Sequence, residues 1–200
     1  MGKQLAFYFQ QNYCVGCSTC QVACKDKNNL SVGQNFRKVY EISGGNFIQR
    51  GKAIIPNIYA FWITVSCNHC FNPTCVKSCP TGALRKREED GIVYIEKEKC
   101  IGCKSCIKAC PYEAPQYNPE EKKVNKCDFC MDLLEQGKDP TCVSSCPMRA
   151  LSFGTFEELR EKYGEVAETE GMPKASIAEP ALVITPCKRI DSDQREDSKR

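Results

Sequence analysis

Cysteine is the residue whose number and spacing dominate this sequence. Sixteen of the seventeen cysteines in the 200 residues fall into four groups of four. Groups one and three have gaps of two, two and three residues, whereas the middle gap is four residues in group two and eleven in group four. In chain order the groups are Cys14, Cys17, Cys20 and Cys24; Cys67, Cys70, Cys75 and Cys79; Cys100, Cys103, Cys106 and Cys110; and Cys127, Cys130, Cys142 and Cys146. The sequence is therefore an internal repeat of one cysteine-rich unit.

This spacing predicts thiolate ligands of cubane [4Fe–4S] clusters. Gaps of two residues let three successive sulfurs curl around three irons, and the cysteine three residues later is expected to open a helix that leads to a neighbouring cluster. A proline follows the last cysteine of groups two, three and four, and the first turn of a helix tolerates its missing N–H. Gly16 and Gly102 lie between the first two cysteines of groups one and three, where the backbone must bend tightly around the cluster.

Zinc and disulfides are the competing interpretations of so many cysteines. Zinc sites with four cysteine ligands generally use two separated pairs, without a third cysteine two residues further on. An odd cysteine count, regular spacing and the lack of an apolar signal-peptide core at the N-terminus all disfavour a disulfide scaffold. A zinc-stabilised structural module stays open as the minor alternative.

The apolar and charged residues of the sequence exclude several other classes of protein. Only 41 residues are Leu, Ile, Val or Phe, so the hydrophobic core is expected to be small. The clusters are therefore expected to act as covalent staples, and the chain without them is expected to be largely unfolded. Interspersed charges, 28 basic and 25 acidic, give a net charge of +3 and no support for nucleic-acid binding. Four oxidised clusters of about two negative charges each would change that to roughly −5. The longest apolar stretch, residues 53–65, is too short to span a bilayer.

Short elements must position these cysteines. The alternation of Leu5, Phe7 and Phe9 predicts a strand before group one, and residues 83–87 and 92–95 predict a hairpin closed by an Asp-Gly turn. Two further strands are expected around residues 39–42 and 58–65. Thr155 and Glu158 form a capping-box pattern for a short helix that stops at Gly164, beyond which the tail is expected to lie extended on a partner or to be disordered.

The cysteine groups, together with Ser66-Cys67-Asn68-His69-Cys70, Cys79-Pro80-Thr81-Gly82-Ala83, Cys110-Pro111-Tyr112 and Cys146-Pro147, resemble those of a known family. The family is that of the iron–sulfur electron-transfer subunits of the molybdopterin oxidoreductase superfamily, of the dimethyl sulfoxide reductase type. The resemblance covers nearly the whole chain. It implies an α+β fold of two bacterial-ferredoxin-like modules with a long insertion and an extended C-terminal tail.

The resemblance also implies which cysteines share a cluster, because in this family group one pairs with group four and group two with group three. Set one is then Cys14, Cys17, Cys20 and Cys146; set two is Cys24, Cys127, Cys130 and Cys142; set three is Cys67, Cys70, Cys75 and Cys110; and set four is Cys79, Cys100, Cys103 and Cys106. Nitrate-reductase-type relatives have tryptophan at the position of Cys103 and a [3Fe–4S] cluster there, so four [4Fe–4S] clusters are expected here. The first module is expected at residues 1–30 and 120–155, the second at 60–119, the insertion at 31–59, and the helix and tail at 156–200.

The function implied is one-electron transfer along four clusters between a quinol-side or other donor and a molybdopterin catalytic subunit. No catalytic residues are expected in this chain, and a membrane-anchor subunit is the second implied partner. No export signal is predicted from the N-terminal residues. The resemblance therefore leaves open a membrane-associated position that faces the periplasm through co-export, or one that faces the cytoplasm. A free-standing polyferredoxin-like carrier is the alternative function.

Four other features have simpler interpretations than ligation. His69, the only histidine, is expected to pack or hydrogen-bond near sulfur, because its group already has four cysteines. Cys187 is expected to be an incidental thiol and Trp62 a packing residue. The basic residues that border the groups are expected to be mostly solvated: Lys25, Arg85, Lys104, Lys126 and Arg149.

Overall fold

The structure is a computed structural model that describes residues 3–187, and within them it has mixed α/β architecture built from short elements. The strands are β1 (Leu5–Gln10), β2 (Lys38–Arg50), β3 (Ala53–Val65), β4 (Leu84–Lys86), β5 (Val93–Ile95), β6 (Gln116–Asn118), β7 (Lys123–Asn125), β8 (Leu151–Thr155) and β9 (Leu182–Thr185). The helices are α1 (Thr19–Lys27), α2 (Thr74–Lys77), α3 (Ser105–Ala109), α4 (Met131–Leu134), α5 (Thr141–Ser144) and α6 (Phe156–Tyr163). In this part of the chain no helix has both the length and the apolar character needed to cross a membrane.

A three-stranded sheet with the order β8-β1-β9 forms the centre of the fold. Strand β1 pairs antiparallel with β8 and parallel with β9. Phe7 and Phe9, on one face of β1, pack in a core that includes cysteines of groups one and four, while Ala6 and Tyr8, on the other face, pack with Leu159 of α6. Because both faces of β1 are covered, this strand holds the first and last cysteine groups to one scaffold.

Part of the tail, expected to lie extended on a partner or to be disordered, instead adds a strand to the protein's own sheet. Residues 182–185 form strand β9 of the central sheet, and Val183 and Ile184 are fully buried there. Residues 181–184 of the expected tail therefore belong to the core, whereas residues 164–177 lie at the surface, exposed or half-buried. The charged end of the tail, from residue 188 onward, lies outside the described residues.

The insertion is a single long hairpin rather than two short strands. Strands β2 and β3 pair in register from Lys38↔Val65 at the base to Arg50↔Ala53 at the tip. The base is buried through Phe61 and Ile63. The outer half is exposed, and it presents Phe47, Ile54 and Ile58 to solvent, each more than half exposed. The hairpin thus projects an uncovered apolar surface from the body of the protein.

The other local predictions outside the cysteine groups are confirmed. Strand β1 covers the alternating aromatic residues, and β4 pairs antiparallel with β5. Helix α6 begins with a complete capping box, in which Thr155 and Glu158 satisfy each other's backbone N–H, and it ends at Gly164. Helix α1 packs on α5, and helix α2 packs on α3. Group one therefore lies against group four, and group two against group three.

Candidate metal centres

Groups one and three fold into the same local structure. In each, a 3₁₀ turn precedes the first cysteine, a glycine with positive φ lies between the first two cysteines, and a left-handed residue begins the helix that carries the third. Gly16 has φ +69° and Gly102 has φ +70°. A Cβ at Gly16 would lie 2.3 Å from the indole nitrogen of Trp62, so this tryptophan packs on the ligand loop. The repeat predicted from sequence is thus also a repeat of backbone conformation.

Groups two and four share a different arrangement around helices α2 and α5. Each helix follows a proline, Pro73 or Pro140, and carries the third cysteine of its group. The fourth cysteine follows the helix, and the next proline lies in a turn. In group one the helix already contains the third and fourth cysteines. The expectation that the fourth cysteine opens a helix is therefore wrong, because the helices are short and end at or near it.

Three of the four cysteine sets line cavities of nearly equal size. The cysteines of set one surround a cavity with an empty volume of about 340 Å³, those of set four one of about 320 Å³, and those of set three one of about 350 Å³, including the open space at each mouth. Each of these cavities is lined by all four cysteines of its set, and three similar cavities with identical donors suit three copies of the same bound group. No group of histidine, cysteine and carboxylate side chains in residues 3–187 has the geometry of a site for a metal ion.

The cysteines of set two lie close together deep in the protein. All four are buried. Cys24 is near enough to Cys142 and Cys130 for their charges to interact, and Cys127 interacts in the same way with Cys24 and Cys142. This set joins cysteines from both ends of the sequence, since α1 and α5 pack side by side.

The thiols differ in how readily they ionise. Burial raises the pKa of Cys24 and Cys75 to about 12 and that of Cys106 to about 11. In contrast, hydrogen bonds from Thr19 and Ser105 lower the pKa of the exposed Cys17 and Cys103. Only thiolates are metal ligands, so the buried cysteines must release protons when a cluster binds, and the positive charge of iron must stabilise them.

The polar atoms around the sulfurs fit a group that accepts hydrogen bonds. Backbone N–H groups reach Sγ of Cys100, Cys127 and Cys146 at 3.3–3.5 Å. Asn68 and Tyr112 line the cavity of set three, and both the Asn68 amide nitrogen and the Tyr112 hydroxyl are buried without a partner. Thiolates and inorganic sulfides are acceptors, whereas a dry cavity would leave these two donors unsatisfied.

The four sets follow one another in a row. Cys20 of set one interacts electrostatically with Cys142 of set two, and Cys127 of set two with Cys67 of set three. Cys75 of set three and Cys106 of set four share a buried cluster. Two cysteines of the chain are exposed, Cys17 and Cys103, and they belong to the sets at the two ends of this row.

The other candidate residues have structural partners. His69 is fully buried against Phe129, its Nδ1 accepts the Val93 N–H at 2.9 Å, and burial lowers its pKa well below the ordinary value. All seventeen cysteines are free thiols, and Cys187 donates its backbone N–H to Gln11 at 2.8 Å.

Two of the basic residues near the cysteine groups are buried. Lys126 is buried, with its ammonium bonded to the carbonyls of Val93 and Cys127. Sequence reasoning missed Arg37, which is also buried, because no spacing or motif distinguishes it from surface arginines.

Two segments of the sequence match families named for iron–sulfur binding. Residues 58–156 match the family described as a 4Fe-4S dicluster domain, and residues 11–29 match the one described as a 4Fe-4S binding domain. Between them the two segments contain all four cysteine groups.

Whole-length similarity extends to several iron–sulfur subunits. The B subunit of anaerobic dimethyl sulfoxide reductase from Escherichia coli (strain K12) is 45% identical over 186 residues, which make up 93% of this chain and 90% of that protein. The B subunit of polysulfide reductase from Wolinella succinogenes is 36% identical, with 94% of this chain and 97% of that protein covered. The formate dehydrogenase-O iron-sulfur subunit of Escherichia coli (strain K12) is 36% identical over 90% of this chain and 64% of that protein.

Proposed function

Because this protein belongs to the family of iron–sulfur subunits that includes the B subunit of dimethyl sulfoxide reductase, we propose that its sixteen grouped cysteines hold four [4Fe–4S] clusters and so connect an electron donor with a molybdopterin catalytic subunit. The protein is an electron-transfer subunit of an oxidoreductase complex, with 4Fe-4S clusters as its cofactors. Each cluster, when bound, accepts and releases one electron. The polypeptide supplies the ligands, their spacing and the electrostatic surroundings.

The proposed ligand sets are those expected from the family resemblance. The cavities lined by the cysteines of sets one, three and four support three of them, and the mutual electrostatic contacts of Cys24, Cys130 and Cys142 support set two. Packing of α1 on α5 and of α2 on α3 supports the pairing into two ferredoxin-like modules, with residues 1–30 and 120–155 in the first and 60–119 in the second. Set two has only buried ligands, and its cysteines lie close to those of sets one and three, so these neighbours offer it a route for electrons.

One observation carries the relay function: the row of four sets has an exposed ligand at each end and none in the middle. Cys17 marks the end at set one and Cys103 the end at set four. The interior of the row is less accessible than its ends, because set two is buried and the ligands of set three are buried or half-buried. Such a row can accept an electron from one partner and deliver it to another. A zinc module has no need for a continuous row of sites.

The names of the relatives and an exposed apolar surface support stable partner subunits. The relatives are named as chains or subunits of reductases and a dehydrogenase, and the exposed apolar surface of the β2–β3 hairpin, with Phe47, Ile54 and Ile58, supports permanent burial against another subunit. We infer a molybdopterin catalytic subunit at one end of the row and a membrane-anchor subunit at the other. The protein is then membrane-associated through these partners, on the periplasmic or the cytoplasmic side.

The first experiment measures iron, acid-labile sulfide and zinc in anaerobically purified protein, with EPR spectra before and after reduction by dithionite. About sixteen irons and sixteen sulfides per chain are expected, with interacting signals after reduction. Cys187→Ser is the matched control, because Cys187 is the one cysteine outside the four sets, and it should leave the iron content unchanged. Stoichiometric zinc with little sulfide, from iron-replete cells, would overturn the proposal.

A second experiment separates the subunit from a free-standing carrier. The tagged protein is purified from anaerobically grown cells and its partners are analysed for molybdopterin. Co-purification of a molybdopterin protein is expected. Phe47→Ser and Ile54→Ser should weaken it if the hairpin contributes to the interface, whereas a fully loaded protein that purifies alone would favour the carrier.

A further inference from the structure

Arg37 is a buried cation without a carboxylate partner. Only 2% of its surface is exposed. Its guanidinium donates to the Thr64 hydroxyl at 3.1 Å and to the Ser66 hydroxyl at 2.9 Å, lies 4.8 Å from the centre of the Phe7 ring, and leaves Nε without a partner. No carboxylate in residues 3–187 forms an ion pair with it. Burial of an unpaired charge is costly, so something else must stabilise it.

The groups that interact with the charge of Arg37 are cysteines of two neighbouring ligand sets. The Thr64 hydroxyl that accepts from Arg37 lies 3.7 Å from Sγ of Cys20, and the Phe7 ring beneath the guanidinium packs in the same buried cluster as Cys20 and Cys142. Burial lowers the pKa of Arg37, whereas the sulfurs of Cys142, Cys20, Cys127 and Cys24 raise it. Three of these four cysteines belong to set two and one to set one. Arg37 thus lies at the junction between two proposed cluster sites, where the thiolates that hold bound clusters would supply the negative charge that compensates it.

The other charged side chains near set two already have ion-pair or hydrogen-bond partners. Lys27 is paired with Asp132 at 2.8 Å. Lys126 donates to two carbonyl oxygens, on the side of set two that faces set three. Asp128 accepts the backbone N–H of Cys130 at 2.9 Å and opposes the effect of the cations. Arg37 is distinguished by being fully buried, unpaired with any acid of residues 3–187, and always protonated.

We propose that Arg37 raises the reduction potential of the clusters held by sets one and two, and that of set two most. Reduction adds one negative charge to a cluster, and a fixed positive charge in a low-dielectric interior stabilises the reduced form. This inference rests on the proposed cluster assignment. In this role Arg37 sets the relative reduction potentials of the clusters in the row, and it contacts no substrate.

The test is EPR-monitored redox titration of the purified holo-complex with Arg37→Gln. The glutamine can still donate a hydrogen bond but carries no charge. We expect the reduction equilibrium of one cluster to change by at least tenfold, which is 59 mV for a one-electron couple. A second cluster should change by less, and the two clusters of sets three and four should keep their potentials. The shift should be the same at pH 6 and pH 8, because arginine does not titrate in this range.

Two further variants separate charge from structure. Arg37→Lys keeps the charge and should retain most of the potential. Ser66→Asp places a carboxylate where the Ser66 hydroxyl now accepts from Arg37, so it neutralises the charge without removing the arginine and should lower the same potentials. It also provides the test if Arg37→Gln fails to load. Arg160→Gln is the matched control, since Arg160 of α6 is paired with Glu165 and should change no potential.

The outcomes distinguish the two proposals. Unchanged potentials in Arg37→Gln and Ser66→Asp, or equal shifts in Arg37→Gln and Arg37→Lys, would overturn the role of Arg37 while leaving the four-cluster assignment intact. Wild-type protein without sixteen irons per chain would overturn the assignment itself. Iron and sulfide contents are measured on every variant, so that loss of a cluster is not mistaken for a shift in potential.

Discussion

Replacing Gly16 by alanine tests whether the first ligand loop depends on close packing by Trp62. Gly16 has φ +69°, a left-handed conformation that costs a residue with a Cβ about 1–2 kcal/mol. The new Cβ would also lie 2.3 Å from Nε1 of Trp62, and only a shift of the whole indole ring could relieve that contact. Overpacking of this kind costs about 1–3 kcal/mol. We therefore expect Gly16→Ala to destabilise the cluster-loaded protein by about 2–5 kcal/mol.

Gly82→Ala is the matched control for the backbone contribution. Gly82 has φ +64°, but nothing in the described residues lies within 4 Å of the position its Cβ would take. Only the conformational cost of about 1–2 kcal/mol then applies. The assay is anaerobic thermal unfolding of loaded protein, followed by the visible absorbance of the clusters at one scan rate. One kcal/mol corresponds to about 2–4 °C for a chain of this size, so the midpoint should fall about twice as far for Gly16→Ala as for Gly82→Ala.

Trp62→Ala tests whether contact with the indole ring causes the extra destabilisation by Gly16→Ala. In that background the clash is absent, and Gly16→Ala should cost no more than Gly82→Ala does. Equal midpoint shifts for the two glycine variants in the wild-type background would refute the reasoning. An undiminished cost of Gly16→Ala in the absence of Trp62 would refute it as well.

Three other predictions use the same protein preparation. Cys103→Ser removes the exposed ligand of set four, so EPR of the oxidised protein should show one [3Fe–4S] signal beside three unchanged clusters, and unchanged spectra would contradict the ligand assignment. Val183→Asp buries an unpaired carboxylate at a fully buried position of β9 and should cost more than about 3 kcal/mol, seen as lost soluble yield. Val32→Asp, at a fully exposed position, should leave that yield unchanged. Thr155→Ala should cost about 1 kcal/mol through loss of the helix cap and lower the unfolding midpoint, whereas Thr155→Ser should not.

The sequence allowed prediction of those elements whose determinants are local. Alternating Leu5, Phe7 and Phe9 predict β1, because alternate side chains of a strand lie on the same face of a sheet. The capping box of Thr155 and Glu158 predicts the start of α6, since both partners lie within four residues. The cysteine spacing belongs to the same class, because most ligands of each proposed cluster come from one stretch of sequence.

Elements that depend on contacts between residues far apart in the sequence were not predicted. Strand β9 pairs in parallel with β1, so that Phe7 lies opposite Leu182, and no feature within a four-residue apolar run indicates that partner. The outer halves of β2 and β3 were missed because they are exposed, and hydrogen bonding between the strands extends the hairpin past Pro56. Arg37 escaped notice because its burial depends on Thr64 and Ser66, which only the folded hairpin brings to it.

The placement of β9 beside β1 has a consequence for biosynthesis. All the proposed ligands of sets three and four lie between residues 67 and 110, but the cavities that they line are completed by Val124, Lys126 and Ala178, which are synthesised later. Sets one and two must wait for Cys142 and Cys146, and the sheet that supports them lacks its last strand until Thr185 has been made. We therefore expect sets three and four to have all their ligands synthesised before sets one and two, and a chain truncated before residue 182 to lack the strand that supports sets one and two.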